Sequence, residues 1–176
     1  MAVVMGEAYP ELFAGVGVHS GLPYASAHDV ASALAAMKGR GSNTSALNPL
    51  AAAGSPRSAI HALPAIVFHG DRDHTVQAAN ATRIVEQAKD AHRARNASAV
   101  LQASAHAGVT SAGRRFSRTI YTNAQGEVRL ESWLLHGAGH AWSGGHASGS
   151  YTDSVGPDAS AEMVRFFLSQ TRGGTA

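Results

Sequence analysis

The chain has 176 residues, of which 44% are apolar and 15% charged, with 19 glycines and no cysteine. That length suits one domain with a sizeable core, and the composition excludes an intrinsically disordered chain, a disulfide framework and a thiolate metal site. With 14 Lys and Arg against 12 Asp and Glu, the net charge of +2 argues against nucleic acid as a partner, and no apolar run approaches a membrane span.

Met1 to Pro10 has no cationic leader and its apolar stretch is broken by Glu7, so it is neither a signal peptide nor a span. It reads as the last turns of a helix stopped at Pro10, because proline disfavours helical dihedrals in its predecessor. A domain that opens in the last turns of a helix leads us to expect a further N-terminal part. Phe13 to His19 reads as a short buried strand ending in the turn Ser20-Gly-Leu-Pro23. Asp29 to Met37 places Val30, Ala33, Leu34 and Met37 at helical spacing. Lys38 to Arg57 is rich in Gly, Ser, Asn and Pro and is expected to be a surface loop.

Pro64 to Phe68 is a continuous apolar strand that runs into His69-Gly-Asp-Arg-Asp73, and Val76 to Ala91 carries an amphipathic helical pattern. Arg115 to Tyr121 and Glu127 to Leu135 flank Asn123-Ala-Gln-Gly126, a hairpin signal. Arg114, Arg115 and Arg118 are expected on a solvated strand face. Ala159 to Leu168 predicts a final helix with Met163, Phe166 and Phe167 toward the core, and residues 171–176 a flexible tail. Strands alternating with helices predict an α/β sheet covered on both faces.

Three segments carry chemistry. His69-Gly-Asp-Arg-Asp-His-Thr-Val76 follows an apolar strand, where an α/β sheet gathers its ligands. Asp71 or Asp73 could orient a catalytic histidine there, or close the turn and cap the next helix. His136-Gly-Ala-Gly-His-Ala-Trp142 sets His140 among small residues that let the backbone present an imidazole in a cleft, as a general base requires. Gly149 to Pro157 borders a pocket or simply enters the last helix. His136, His140 and His146 have the spacing of a long zinc-protease motif, but Gly137 stands in place of the general-base Glu and Ser143 in place of the turn glycine. Zinc proteolysis is therefore rejected, with adventitious metal binding by these histidines left as an alternative.

Together these segments resemble a known family. His69-Gly-Asp-Arg-Asp73-His-Thr-Val76 resembles the acid-bearing segment of α/β-hydrolases. Gly137-Ala-Gly-His-Ala-Trp-Ser-Gly144 resembles the histidine segment of the polyhydroxybutyrate (PHB) depolymerase and feruloyl-esterase-like group. Tyr9 to Pro23 resembles the stretch after the nucleophile helix, and Ser150 to Asp153 with Gly156 to Leu168 the C-terminal end. The resemblance implies that Asp73 is the acid, that His140 is the base, and that Trp142 shapes the substrate pocket. It implies a serine carboxylesterase acting on a hydroxyalkanoate polymer or oligomer or a small acyl ester, with no metal or cofactor, in an extracellular or periplasmic setting.

One departure matters. The family needs G-x-S-x-G at a strained elbow, and no serine here has glycine two before and two after. Ser20 in Gly17-Val-His-Ser-Gly21 is nearest in appearance but follows the wrong strand. Residues 1–170 are thus expected to be the C-terminal part of an α/β-hydrolase domain, with the N-terminal strands and nucleophile elbow elsewhere. Alone, such a chain is expected to be inactive, and its bare sheet edge invites self-association. The alternative is a non-catalytic remnant or a histidine-rich metal-binding module.

Overall fold

A computed structural model describes residues 1–40, 62–95 and 100–170. Helix α1 (Ala2–Ala8) runs into a 3-10 turn at Pro10–Leu12, followed by β1 (Val16–His19), α2 (Val30–Met37), β2 (Ala65–Gly70) and α3 (Ala79–Arg95). Strands β3 (Gln102–Val109), β4 (Arg115–Thr122) and β5 (Val128–Leu135) come next, then the short β6 (Trp142–Ser143) and β7 (Thr152–Asp153), and finally α4 (Ala159–Leu168). No helix among the described residues is long and apolar enough to cross a membrane.

The fold is α/β, with a mixed five-stranded sheet in the order β1-β2-β5-β4-β3. β1, β2 and β5 are parallel, and β4 and β3 extend the sheet antiparallel. Every residue of β2 is buried, which is why it reads as one unbroken apolar run. One face packs Ile66, Phe68, Trp133 and Leu135 against Met163 and Phe166 of α4. The other packs Val18, Val67 and Leu130 against Ile84 and Val85 of α3. Each such side chain contributes roughly 1.5–3 kcal/mol of burial. α2 starts at a reciprocal cap, in which Asp29 Oδ1 accepts the Ser32 N–H at 2.7 Å and Ser32 Oγ accepts the Asp29 N–H at 3.0 Å.

The structure corrects several expectations. β3 was not anticipated, because the residues that alternate with its polar positions, Ala103, Ala105, Ala107 and Val109, are mostly small and the strand is exposed along nearly its whole length. Cover on both faces therefore holds for the parallel strands and fails at this antiparallel edge. α3 begins at Ala79 instead of Val76, since the Thr75 and Val76 N–H groups are held by Asp73 in a turn. Nor do the arginines form a solvated row. Arg118 clamps the buried Glu131 through Nε at 3.1 Å and Nη2 at 2.9 Å, with its guanidinium 4.9 Å from the Trp133 ring centroid, and Arg114 reaches Asp153. Only Arg115 is exposed. Residues 41–57 of the expected loop and the expected tail at 171–176 lie outside the described residues.

Candidate functional site

β2 and β5 are parallel neighbours in register from Ala65↔Leu130 to Gly70↔Leu135, so the chain leaves both at one end of the sheet. The ladder continues into the loops, with the Asp71 N–H donating to Leu135 O at 3.1 Å and the Arg72 N–H to Ala138 O at 3.0 Å. This approach demands glycine at position 70, where a Cβ would lie 2.3 Å from the Ala138 carbonyl oxygen.

Asp73 is 3% exposed and uses both oxygens. Oδ1 accepts the Thr75 and Val76 N–H groups at 2.9 and 2.8 Å, and Oδ2 lies 2.7 Å from His140 Nδ1. Closing the turn and orienting a histidine are thus both done by the same carboxylate. Burial alone would push its pKa up. The His140 hydrogen bond and the two backbone N–H groups outweigh that and hold it below the usual carboxylate range. A carboxylate at Oδ2 fixes the proton on His140 Nδ1, which leaves Nε2 as a base.

His140, together with His19, Ser20, Ala141, Trp142 and Tyr151, lines an open cleft. His19, at the end of β1, was not singled out by sequence. Its ring stacks on Phe68 and Trp142, with centroids 5.9 and 4.9 Å apart, and its Nε2 accepts the Ser143 N–H at 3.0 Å. Burial first, and then the neighbouring His69 and His140, lower its pKa to about 4, so it stays neutral and keeps its acceptor role. His19, Phe68, Trp133 and Arg118 are consecutive partners across β1, β2, β5 and β4, forming one rung that carries core packing out to the cleft. The signal for this lay in the strand register, which a single sequence does not display.

Trp142 is 39% exposed, and its Nε1–H donates to Ser160 Oγ at 3.1 Å, which ties the cleft to α4. Ser20 has φ +50°, its N–H donates to Phe68 O at 2.9 Å, and its buried Oγ has no hydrogen-bond partner among the described residues. It is therefore not paired with His140. Buried His69 donates from Nε2 to Val76 O at 2.8 Å and supports the acid loop from beneath.

The three histidines with zinc-motif spacing go to different partners. His136 Nδ1 meets Asp71 Oδ2 at 2.9 Å, His140 meets Asp73, and His146 Nδ1 meets Ser148 Oγ at 2.8 Å. Among the described residues no three His, Asp or Glu side chains gather to hold a metal ion. Asp71, the other acid weighed from sequence, thus pairs with a different histidine.

A model of the esterase PHB depolymerase family matches residues 1–112. Poly(3-hydroxyalkanoate) depolymerase C of Paucimonas lemoignei is 30% identical over 146 residues, covering 80% of this chain and 32% of that protein. The chain therefore spans about a third of the length of that curated relative.

Proposed function

The chain belongs to the esterase PHB depolymerase family, a family of ester hydrolases, and on that premise we propose that it supplies the acid and base of a serine carboxylesterase whose nucleophile lies on a segment outside these 176 residues. The carrying observation is the 2.7 Å contact between His140 Nδ1 and a carboxylate buried to 3% exposure, with the same imidazole lining a cleft beside Trp142 and Tyr151. The absence of G-x-S-x-G from the sequence supports the external nucleophile.

In this reading His140 Nε2 takes the proton of the incoming serine hydroxyl as its oxygen attacks the ester carbonyl. Asp73 stabilises the imidazolium so formed. The proton then passes to the departing alcohol, and a water molecule repeats the cycle to release the acid and free the serine. The substrate is an ester of a hydroxyalkanoic acid, polymeric or oligomeric, or a small acyl ester, with Trp142 shaping the pocket. The sheet corresponds to the C-terminal part of an α/β-hydrolase domain, and the setting is extracellular or periplasmic, as the family suggests. β1 pairs on one side with β2 alone among the described residues, which supports self-association through its other side. A monomer by gel filtration would count against that last point.

The experiment is complementation. The chain is expressed alone and together with the G-x-S-x-G-bearing N-terminal part of a family member, and hydrolysis of a short hydroxybutyrate oligomer is measured. We expect no hydrolysis from the chain alone, and restored hydrolysis that vanishes in His140→Ala. Phosphonate-sensitive hydrolysis by the chain alone would overturn the reading.

A further inference from the structure

A second histidine–carboxylate pair bridges the same two loops, and we propose that it is a strut: His136, held between Ser117 and Asp71, is a positioning residue for His140. Asp71 and Asp73 flank Arg72 in the loop after β2, while His136 and His140 flank three residues in the loop after β5. Ser117 Oγ lies 2.8 Å from His136 Nε2, His136 Nδ1 lies 2.9 Å from Asp71 Oδ2, and Asp71 Oδ1 accepts the Gly137 N–H at 2.7 Å. Arg114 Nη1 donates to His136 O at 3.1 Å from the neighbouring strand.

The need for a strut follows from the backbone. Between His136 and His140 stand Gly137, at φ +77°, and Gly139, two residues that give the segment wide conformational freedom. Ala138 between them is held by the Arg72 N–H on its carbonyl at 3.0 Å and by its place in the core, but the glycines on either side leave His136 and His140 free to turn about it. Anchoring the first residue of the segment by ring, carbonyl and following N–H removes much of that freedom. The two imidazoles are about equally exposed, 35% for His136 and 39% for His140, but Asp71 is 33% exposed whereas the Asp73 carboxylate is fully shielded. The two pairs thus divide the work, one holding register and the other facing the cleft.

Hydroxyl, imidazole and carboxylate in line have the form of a nucleophile relay. Ser117, however, stands mid-strand, paired with Ala107 on one side and Leu134 on the other, and the Gly137 N–H is already held by Asp71. The relay is therefore assigned to holding, not to attack.

The proposal rests on the reading of His140 as the base, yet its readout is a hydrogen bond and not turnover, so the two fail separately. The His140 Nδ1 proton is followed by nuclear magnetic resonance in the 176-residue chain and identified by its loss in Asp73→Asn. His136→Gln, which cannot place a donor where Nδ1 stood, is expected to speed exchange of that proton with water about tenfold. His136→Asn restores a donor at that place and is expected to bring exchange back toward the parent rate. Should the Gln variant not fold, Asp71→Asn asks the same question from the other side of the pair and is expected to speed exchange as well. Unchanged exchange in the Gln or Asp71 variant, or equal acceleration in Gln and Asn, overturns the strut.

Discussion

Two carboxylates lie buried among the described residues, and their partners differ in kind. Glu131, fully buried on β5, is met by Arg118 from β4, by Arg165 from α4 at 2.7 and 2.9 Å, and by the Trp133 Nε1–H at 3.2 Å. Its cationic partners carry a permanent charge. Asp73, equally shielded, is met by backbone N–H groups and by an imidazole with a second nitrogen to spare. The first arrangement fastens strands to a helix. The second leaves one nitrogen of its partner ring free of the carboxylate, the arrangement the proposed acid–base role needs. Burial of a carboxylate alone therefore says little; the chemistry of what answers it separates a structural fastening from a candidate site.

The largest expected effect falls on the site. In the complemented enzyme Asp73→Asn should lower kcat by about 10⁴-fold, because the imidazole loses the carboxylate that sets its tautomer. A loss no greater than the loss of folded protein would reduce Asp73 to a second Glu131. At Glu131 itself the expectation reverses. Glu131→Gln should lower the unfolding free energy by about 3–4 kcal/mol in urea titration, toward the low end because both guanidinium groups keep some water contact. Hydrolysis per folded molecule should be unchanged.

A third prediction concerns acid. His19 binds its proton with a pKa of about 4 in the fold against 6.5 ordinarily, so the unfolded chain takes it up first. The stabilisation is complete above the unfolded value and is lost as pH falls from 6.5 to 4, about 3 kcal/mol in all. Asp73 adds to this loss below the ordinary carboxylate range, since its own pKa is depressed. His19→Gln should flatten the upper part of that fall, as measured by urea midpoints across the range. The smallest effect is at Trp142→Ala, where loss of a half-exposed ring should weaken substrate binding by about 1 kcal/mol, seen as a raised KM with little change in kcat. An equal fall in kcat would place the ring against the reacting atoms.

The parallel half of the fold was legible from its apolar patterning: β2 as an unbroken buried run, α2 from the helical spacing of Val30, Ala33, Leu34 and Met37, α4 from its apolar face. β3 was not, since its alternating residues are chiefly alanines on an exposed edge, too small to mark a buried face. Asp73 and His140 were picked out through family resemblance; local sequence left Asp71 equally eligible, and only the loop geometry shows each acid with its own histidine. His19 escaped notice because its role depends on which strand lies beside it and on a ring, Trp142, more than a hundred residues away.

The central claim is that His140 holds its Nδ1 proton toward Asp73 and keeps Nε2 for the cleft. The direct test is the ¹⁵N spectrum of the His140 ring in the intact chain near neutral pH. The account predicts a protonated Nδ1 and a bare Nε2, lost as a fixed tautomer in Asp73→Asn. A proton resident on Nε2 with Nδ1 bare would contradict it.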